Sequence, residues 1–544
     1  MLEKIDLEFT DPTSLAIPLK GMTIFVGPNN SGKSQILRET ERLLKCGNKV
    51  PENKIVKNVE LTIPDHHERE KIVHAIEQEF LNSDQVTHDL FQIGQGIVKR
   101  SSPKQHVFHQ IRNANDKHWF ATFAIGPHVK LLDGRTRFEL TDEQEAGDLD
   151  LSPANSFQRL FRNDNLRKLL QNYIHNAFGK YVLVDPTRLG KLRLKFSNEL
   201  RAELEQSLNA EARQFYSNAT SITEMSDGVK AYTGLLISFI TSSQMLALLD
   251  EPEAFLHPPL VRKLAFQLGT LAKNNLQPIC VATHSSDFVL GAIQSGLPVR
   301  IVRLQYRDGI SRARMVSPDT LETLVRHPLM RSANVISAMF YDGVVITESD
   351  NDRTFYQEIY LRVADEMRNV PAIQFVNAQN KQTIREILKP LREFGVPAAA
   401  ITDLDIVKDG GQTWSRWLEA AQVPEGLRNG FGQTRSSIKQ YLDASGCDWK
   451  KSGGISVLSE DEFRTAFAFF GTLKQYGIFV VTKGELESWL TELGVSGKGT
   501  EWTVEMLKRL GGDPGDEQYV RPGEGDVWDF VRDLIHWLRD ARFA

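Results

Sequence analysis

The sequence predicts an α/β protein in which two α/β domains follow one another along the chain. Two series of short apolar runs, each run bounded by turn residues, predict this class, because helical patterns separate several of the runs. The runs of the first series are 22–26, 181–185, 245–250, 279–283 and 300–304. The runs of the second series are 343–347, 373–376, 398–402 and 478–482. The intervening helical patterns include 259–273, 353–368 and 381–394. We expect each series to form a sheet that helices cover.

Length and composition fit a protein of this class. The chain has 544 residues, which predicts two to four domains. Hydrophobic residues make up 41% and charged residues 25%, as in ordinary soluble globular proteins. The formal net charge is −5, so bulk charge gives no indication of a nucleic-acid partner. Such a partner would need a local basic surface or bound cations that offset the acidic background.

Cysteine usage and the N-terminus predict a cytoplasmic protein. The three cysteines, Cys46, Cys280 and Cys447, are far apart and form no readable disulfide framework or zinc motif. Few thiols in a long chain suit a reducing compartment. The N-terminal residues MLEKIDLEFT include acidic residues and no apolar core, so we expect no secretory signal. No apolar run is long enough to span a membrane, and no membrane partner is expected.

The two domains are expected to carry additional segments. In the first domain, 1–310, short alternating runs over 55–142 predict an inserted antiparallel β subdomain. These runs are 59–64, 107–111, 118–124 and 137–141. Residues 144–220 are expected to be helical, and the polar, turn-rich stretch 311–340 to be the interdomain link. The second domain is expected over 341–490. A C-terminal helical extension, 491–544, ends in the amphipathic pattern 527–540.

The segment Gly27–Ser34, GPNNSGKS, has the spacing of a phosphate-binding loop. It follows a predicted strand and opens a predicted helix, which is the context that the motif needs. Backbone N–H groups of such a loop surround phosphates, and the helix N-terminus adds positive potential. We expect Lys33 to reach the β/γ-phosphates and the Ser34 hydroxyl to bind Mg²⁺. The residues expected to contact the nucleotide in this loop are Gly27, Asn30, Gly32, Lys33 and Ser34.

Two later strands of the first series end in residues that suit ATP hydrolysis. The apolar run 245–250 ends in Asp250, which is placed to hold Mg²⁺, and Glu251 follows as the candidate general base for the attacking water. His284 follows the run 279–283 and is placed to contact the γ-phosphate. A lone histidine at such a position would more often be structural, but its position after the next sheet strand favours the functional interpretation.

A fourth motif lies between these elements. Met225-Ser226-Asp227-Gly228 precedes a predicted helix and resembles the ABC signature loop, with Met and Asp in place of the usual Leu and first Gly. With the other motifs it makes residues 1–310 similar to the ABC-type ATPases of the SMC, RecF and OLD group. The resemblance implies a homodimer in which each ATP lies between one subunit's phosphate-binding loop and the Ser226 and Gly228 of the other. Gln92 or Gln95 are candidates for the Q-loop residue.

Carboxylates follow the strands of the second series. Glu348 follows the run 343–347, Asp352 lies four residues later, and Asp403 and Asp405 follow the run 398–402. Parallel strands bring such residues to one sheet edge, where clustered carboxylates suit Mg²⁺ or Mn²⁺. Two such ions can activate a water and stabilise a leaving 3′-oxygen. Strand ends often carry acids that only cap loops, but this ordered set favours a metal site.

This arrangement resembles the Toprim domain over about residues 340–490, although Ser349 stands where the Toprim pattern has glycine. The run 478–482 is followed by Lys483, Glu485 and Glu487, a pattern similar to that of OLD-family nucleases. This resemblance implies that Glu487 is a further metal ligand and that Lys483 stabilises the transition state as a catalytic residue. It also implies that Lys381 touches a backbone phosphate.

An ABC-type ATPase head followed by a Toprim domain resembles the OLD family of ATP-dependent endonucleases. The resemblance implies ATP and Mg²⁺ or Mn²⁺ as cofactors, nucleic acid as substrate with DNA favoured over RNA, and a role in bacterial anti-phage defence, with a further defence protein as partner. Three alternatives remain open: a RecF-like or SMC-like repair ATPase or scaffold with an inert Toprim fold, a topoisomerase or primase, and an RNA-cutting toxin. The missing coiled-coil arms, DNA-gate tyrosine domain and zinc module count against the first two.

Overall fold

The computed structural model describes two compact units, residues 1–315 and 316–544. The described residues are 2–46, 53–80, 90–93, 100–151, 153–241, 245–317, 321 and 333–539. In this part of the chain no helix is long and apolar enough to cross a membrane.

The first unit is a mixed α/β structure. Its strands are β1 (Leu2–Glu8), β2 (Ser14–Pro18), β3 (Met22–Val26), β4 (Val56–Leu61), β5 (Leu90–Ile93), β6 (Arg100–Pro103), β7 (Val129–Leu132), β8 (Gln144–Glu145), β9 (Tyr181–Asp185), β10 (Lys191–Ser197), β11 (Thr220–Ser221), β12 (Leu246–Asp250), β13 (Ile279–Ala282), β14 (Val299–Arg307) and β15 (Ile310–Met315). Its helices are α1 (Lys33–Cys46), α2 (His66–Phe80), α3 (Lys104–Arg112), α4 (Lys117–Phe120), α5 (Thr136–Glu139), α6 (Ser156–Arg162), α7 (Asp164–Phe178), α8 (Ala210–Asn218), α9 (Asp227–Thr241), α10 (Pro258–Asn275) and α11 (Ser286–Gln294). Strands and helices alternate through much of this unit, as the sequence predicts.

The central sheet of the first unit has the strand order β15-β14-β3-β13-β12-β7. All neighbouring pairs are parallel except β14 and β15. Its inner strands β3 and β12 are buried along their whole length, which explains their unbroken apolar sequences. Because Asp250 is in register with Ala282, and Ala282 with Phe25, the carboxyl ends of β12, β13 and β3 lie at one edge.

The predicted antiparallel β subdomain over 55–142 is wrong in most of its parts. The strand β4 (Val56–Leu61) joins an antiparallel sheet of order β2-β1-β4, and β5 and β6 form a separate two-stranded antiparallel sheet. The run 107–111 lies in α3, 118–124 lies in α4 and the π-helical turn Ala121–Ile125, and 137–141 begins in α5. In α3, Val107, Phe108 and Ile111 are all buried, and their spacing fits one face of a helix better than alternate sides of a strand.

Three further assignments need correction. The run 181–185 is a strand, but it pairs antiparallel with β10 and does not join the central sheet. Residues 144–220 are therefore a mixed segment, in which this hairpin separates α6 and α7 from α8. Residues 310–315 are also not linker, because β15 pairs with β14 at the edge of the central sheet. The strand β15 contains two arginines and is only partly buried, so its polar sequence resembles that of a loop.

The second unit contains a parallel sheet. Its strands are β16 (Gly343–Thr347), β17 (Ile373–Asn377), β18 (Ala398–Asp403) and β19 (Ile478–Val481). Its helices are α12 (Ala333–Ser337), α13 (Asp350–Glu366), α14 (Lys381–Glu393), α15 (Gly411–Ala420), α16 (Glu425–Ala444), α17 (Glu460–Gln475), α18 (Gly499–Leu510) and α19 (Asp526–Arg539). All four strands of the second series are thus found within a residue or two of the predicted runs.

The order of this sheet determines where a ligand can bind. The strands run β17-β16-β18-β19, and all neighbouring pairs are parallel. The chain leaves β16 toward β17 on one side and returns to β18 on the other. Such a reversal opens a crevice at the carboxyl ends of the two central strands, where open α/β sheets bind ligands. The helices α13, α18 and α19 contribute to the apolar core of this unit through side chains such as Phe355, Trp502 and Phe530.

Candidate functional site

The phosphate-binding loop joins β3 to α1. Gly27 has a φ of 142° and approaches the backbone of Leu304 so closely that a side chain would collide with that carbonyl. The Lys33 ammonium group lies inside the loop, 2.9 Å from the Gly27 carbonyl oxygen and 2.7 Å from that of Pro28. Burial lowers the pKa of Lys33 to about 8, although the nearby acids Glu251 and Asp250 oppose the shift. The loop therefore directs a cation and the N-terminus of α1 toward one point, which suits a phosphate group.

Ser34 and Asp250 meet at the edge of the central sheet. The Ser34 hydroxyl donates to Asp250 Oδ1 at 2.7 Å, and Arg38 Nη2 lies 3.8 Å from Asp250 Oδ2. Burial raises the pKa of Asp250, against the hydrogen bond from Ser34. This pair is the one that the sequence predicts as the Mg²⁺ ligands of a bound nucleotide, and a hydroxyl and a carboxylate are oxygen donors of the kind that Mg²⁺ takes.

The candidate general base and the candidate γ-phosphate contact also lie together. His284 Nε2 is 3.7 Å from Glu251 Oε1. Glu251 has a φ of 49°, so the chain makes a left-handed turn directly after β12. Burial lowers the pKa of His284, with the Lys33 ammonium group acting in the same direction. A neutral imidazole beside the carboxylate can accept or relay a proton near the end of the phosphate-binding loop.

Sequence reasoning missed two residues that support this site. Glu253 Oε1 accepts from the backbone N–H of His284 at 2.6 Å, so it ties the turn after β12 to the turn after β13. Arg137 is 1% exposed, donates from Nε to the Asp133 carbonyl at 2.7 Å and from Nη2 to the Asp250 carbonyl at 3.3 Å. Arg137 was not recognised because its segment was assigned to a β subdomain. For Glu253, the one indication in the sequence was its position three residues after Asp250.

The signature-like residues begin α9. Ser226 is exposed and its carbonyl oxygen accepts from the backbone N–H of Lys230, which starts the helix. Gly228 packs against the carbonyl oxygen of Phe255, at a distance where any side chain would force a shift. This close packing is a structural reason for glycine at position 228, besides any contact with a nucleotide. Of the two Q-loop candidates, Gln92 lies in β5, and Gln95 lies outside the described residues.

In the second unit, the four predicted acids gather at the switch point of the sheet. Glu348 follows β16, and Asp352 lies in the first turn of α13, where it forms a capping box with Ser349. Asp403 ends β18, and Asp405 lies in the 3₁₀ turn that follows it. The acids are close enough to affect one another, since after burial the charges of Asp403, Asp405 and Asp352 all raise the pKa of Glu348.

Two lysines hold the acids after β18. Lys450 Nζ lies 2.7 Å from Asp403 Oδ2 and 3.6 Å from Asp405 Oδ2. Lys381 Nζ donates to Asp405 Oδ1 at 2.9 Å and lies 3.5 Å from Asp409 Oδ1. Lys450 was missed by sequence reasoning because its loop follows no predicted strand and lies far from the acids in the sequence.

The charges of the cluster are only partly balanced. Burial, followed by the charges of Asp403 and Asp405, raises the pKa of Glu348 to about 7. Burial raises the pKa of Asp403 to about 6 despite the ion pair with Lys450. For Asp405, burial acts in the raising direction, but the hydrogen bond and charge of Lys381 outweigh it and the pKa is lowered. Concentrated negative charge of this kind favours binding of a cation.

The donor set fits a hard divalent cation. Glu348 Oε1 is buried and has no hydrogen-bond partner, so it is an oxygen donor still available to a ligand. Carboxylate oxygens are what Mg²⁺ and Mn²⁺ prefer. Among the described residues, no three acidic, histidine or cysteine side chains converge closely enough to hold an ion as they stand. Lys450 and Ser349 engage oxygens of Asp403 and Asp352 in this arrangement.

The residues after β19 are distributed differently from the prediction. Lys483, predicted as a catalytic residue, forms an ion pair with Asp526 at 2.9 Å. Glu487 accepts from the backbone N–H of Gly499 at 2.8 Å, and its charge contributes to the raised pKa of Asp352, which burial mainly causes. Glu485 is buried and pairs with Lys498 at 2.7 Å. Glu487 is thus near the acid cluster, whereas Lys450 and Lys381, and not Lys483, form the ion pairs with Asp403 and Asp405.

Comparison with known proteins identifies both units. Residues 127–290 match the family model described as an AAA domain, putative AbiEii toxin, type IV toxin–antitoxin system. Residues 339–405 match the Toprim domain of proteins like the overcoming lysogenization defect protein. The chain thus contains one segment similar to an AAA-type ATPase domain and one similar to the Toprim domain of OLD-like proteins. The second match includes the four acids of the cluster, and the first includes the signature-like residues, Asp250 and His284.

Three individual proteins illustrate the similarity. The Old nuclease of Escherichia phage P2 is 21% identical over 309 residues, which are 54% of this chain and 50% of the phage protein. The chain thus spans about half the length of that curated relative. The SMC head domain from Thermotoga maritima is 16% identical, covers 58% of this chain and 99% of its own, and has a TM-score of 0.27. An Smc head domain from Pyrococcus furiosus is 13% identical over 60% of this chain and 98% of its own, with a TM-score of 0.31.

Proposed function

We propose that this protein is an ATP-hydrolysing, divalent-cation-dependent nuclease, and that the second unit cleaves phosphodiester bonds. The observation that carries the proposal is the cluster of Glu348, Asp352, Asp403 and Asp405 at the switch point of the parallel sheet, with a buried Glu348 oxygen that has no partner. Carboxylates whose charges raise the pKa of Glu348 are costly to keep together. A cation site explains why they are together, and an inert scaffold does not.

The first unit supplies ATP binding and hydrolysis in this proposal. Lys33 and the N-terminus of α1 bind the phosphates, while Ser34 and Asp250 hold the cation that accompanies ATP. Glu251 orients the attacking water and takes its proton, and His284 contacts the γ-phosphate. The 3.7 Å separation of Glu251 and His284 supports a shared role at the end of the phosphate chain.

The second unit supplies the cleavage. When bound, two divalent cations would provide an activated water and neutralise the charge on the leaving oxygen. Glu348, Asp352, Asp403 and Asp405 would hold them, with Glu487 as a further ligand beside Asp352. Lys381 stands 2.9 Å from Asp405 and is available to contact a phosphate of the substrate backbone. The negative charge of the carboxyl groups also repels an anionic substrate until cations are bound. Cleavage should therefore depend strictly on divalent cations.

An assay is needed to distinguish DNA from RNA as the substrate, because the chemistry of the acid cluster is the same for either sugar. Purified protein is incubated with supercoiled plasmid, linear DNA and tRNA, with Mg²⁺ or Mn²⁺, and with and without ATP. We expect DNA to be cut. Cleavage of tRNA alone would make the protein an RNA-cutting toxin, and the absence of any cleavage would favour the scaffold alternative.

Dimerisation through the first unit is the next part of the proposal. The exposed Ser226 at the start of α9 is expected to contact the ATP held by another copy, which implies a closed symmetric pair. Light scattering with Mg²⁺ and a non-hydrolysable ATP analogue should give twice the monomer mass. Ser226→Arg should stay monomeric, because the arginine side chain blocks the ATP site shared by the two copies. The control Thr223→Arg, at a nearby exposed position, should dimerise normally. A monomer in wild type, or a dimer in Ser226→Arg, contradicts this arrangement.

A role in anti-phage defence is the biological part of the proposal and rests on family resemblance. It predicts that a bacterial host expressing the chain, with a partner protein where the system has one, forms fewer phage plaques than a host expressing Asp403→Asn. Equal plaque numbers across a broad phage panel would leave the enzyme without this role.

A further inference from the structure

We propose that Lys450 is an internal counter-cation of the acid cluster, which a divalent cation must displace from Asp403 and Asp405 before it can bind. This inference concerns the regulation of the proposed nuclease site and therefore rests on the proposed function. It assigns a role to a residue that no motif in the sequence identifies.

The position of the Lys450 ammonium group carries the inference. It lies 2.7 Å from Asp403 Oδ2 and 3.6 Å from Asp405 Oδ2, so it bridges the two acids that follow β18. An ammonium group and a divalent cation compete for these oxygens, because both are attracted to the same negative charge and repel each other.

Lys381 makes a useful contrast. It bonds the other oxygen of Asp405 and also the carbonyl oxygen of that residue, at 2.9 and 3.2 Å. Its further partner is Asp409, which lies outside the acid cluster. Lys381 thus neutralises the outer side of Asp405 and can remain when a cation binds. Lys450 has both of its close carboxylate partners within the cluster.

The loop that carries Lys450 is fixed, whereas the side chain is free to leave. The Ile455 N–H donates to the Thr482 carbonyl at 2.9 Å, and Gly484 packs directly against the Lys450 carbonyl oxygen. These contacts hold the loop against the end of β19. The Lys450 side chain itself is 26% exposed, and four rotatable bonds allow the ammonium group to move into solvent. Displacement therefore requires a change of rotamer and no change of backbone.

The consequence is a threshold for cation binding. Without a cation, Lys450 lowers the repulsion between Asp403 and Asp405 and keeps them in place. Because Lys450 occupies these carboxylates, a divalent cation binds only at a concentration that overcomes the ion pairs of Lys450. Replacing Lys450 by a neutral residue of similar length should therefore tighten cation binding rather than weaken it.

The test measures Mn²⁺ binding to the full chain by electron paramagnetic resonance, without nucleotide. The site of interest is the Mn²⁺ signal that Asp403→Asn removes. Lys450→Met should bind this Mn²⁺ about tenfold more tightly than wild type, a difference of about 1.4 kcal/mol. Lys450→Arg keeps the charge and should retain the wild-type affinity. The control Lys451→Met removes the adjacent lysine, which pairs with Asp448 at 3.1 Å, and should change nothing.

Equal affinity in Lys450→Met and wild type would overturn the inference and leave the nuclease proposal standing. If no variant shows Mn²⁺ bound at a site that depends on Asp403, the proposed cation site itself fails. Thermal unfolding of each variant reports whether the second unit is folded. If Lys450→Met does not fold, Lys450→Gln replaces it with the same expected result.

Discussion

Asp403→Asn should reduce nucleic-acid cleavage by roughly 10³-fold or more while leaving ATP hydrolysis intact. The amide keeps the shape of the side chain but removes the charge that a hard cation needs. Loss of one cation removes either water activation or stabilisation of the leaving oxygen, and each contributes several kcal/mol, at about 1.4 kcal/mol per tenfold in rate. The measurement is cleavage and phosphate release on one preparation.

The variant should remain folded. Burial raises the pKa of Asp403 to about 6, above the ordinary value of 3.8, so above pH 6 its charged form opposes folding and a neutral amide avoids that cost. Asp448→Asn is the matched control, because Asp448 is an acid of the same unit that pairs only with the exposed Lys451 among its described ion pairs. Cleavage at the wild-type rate by Asp403→Asn would assign the nuclease to another site or leave the second unit without one.

Glu251→Gln should slow ATP hydrolysis without weakening ATP binding. ATP binding should persist, because Lys33, Ser34 and Asp250 are unchanged, whereas hydrolysis should slow by roughly 10²-fold or more once the general base is lost. The measurements are binding of a fluorescent ATP analogue and phosphate release. Glu211→Gln, an exposed acid paired with Arg201, should hydrolyse normally. Undiminished hydrolysis by Glu251→Gln would remove Glu251 from this role and direct attention to His284 and Glu253.

The parts of the fold that could be predicted are those that local sequence determines. Buried parallel strands need unbroken apolar runs, so the sequence predicts nearly to the residue the strands that end in Asp250 and Asp403 and the strand that Glu348 follows. The acids and His284 could be predicted to lie at sheet edges because each ends such a strand or lies within a few residues of its end. The phosphate-binding loop is a single local motif, and its geometry depends on Gly27 and Lys33 within one turn.

The parts that could not be predicted depend on contacts between distant segments. The run 181–185 has the sequence of a central strand, but its partner is β10, and no local feature distinguishes the two environments. Helices α3 and α4 contain β-branched and aromatic residues that favour strands, and burial against the first unit's core decides their form. Lys450 and Arg137 reach their sites from loops and short helices, so only the three-dimensional structure relates them to Asp403 and Asp250.

The most direct test of the central claim removes and restores the divalent cation. Wild-type protein treated with EDTA should cut no nucleic acid, with or without ATP, and cleavage should return as Mn²⁺ or Mg²⁺ is added in excess. Asp403→Asn should not regain cleavage at the cation concentrations that restore the wild type. Cleavage that persists in EDTA, or that returns equally in Asp403→Asn, would contradict the assignment of the Glu348, Asp352, Asp403 and Asp405 cluster as the metal-dependent nuclease site.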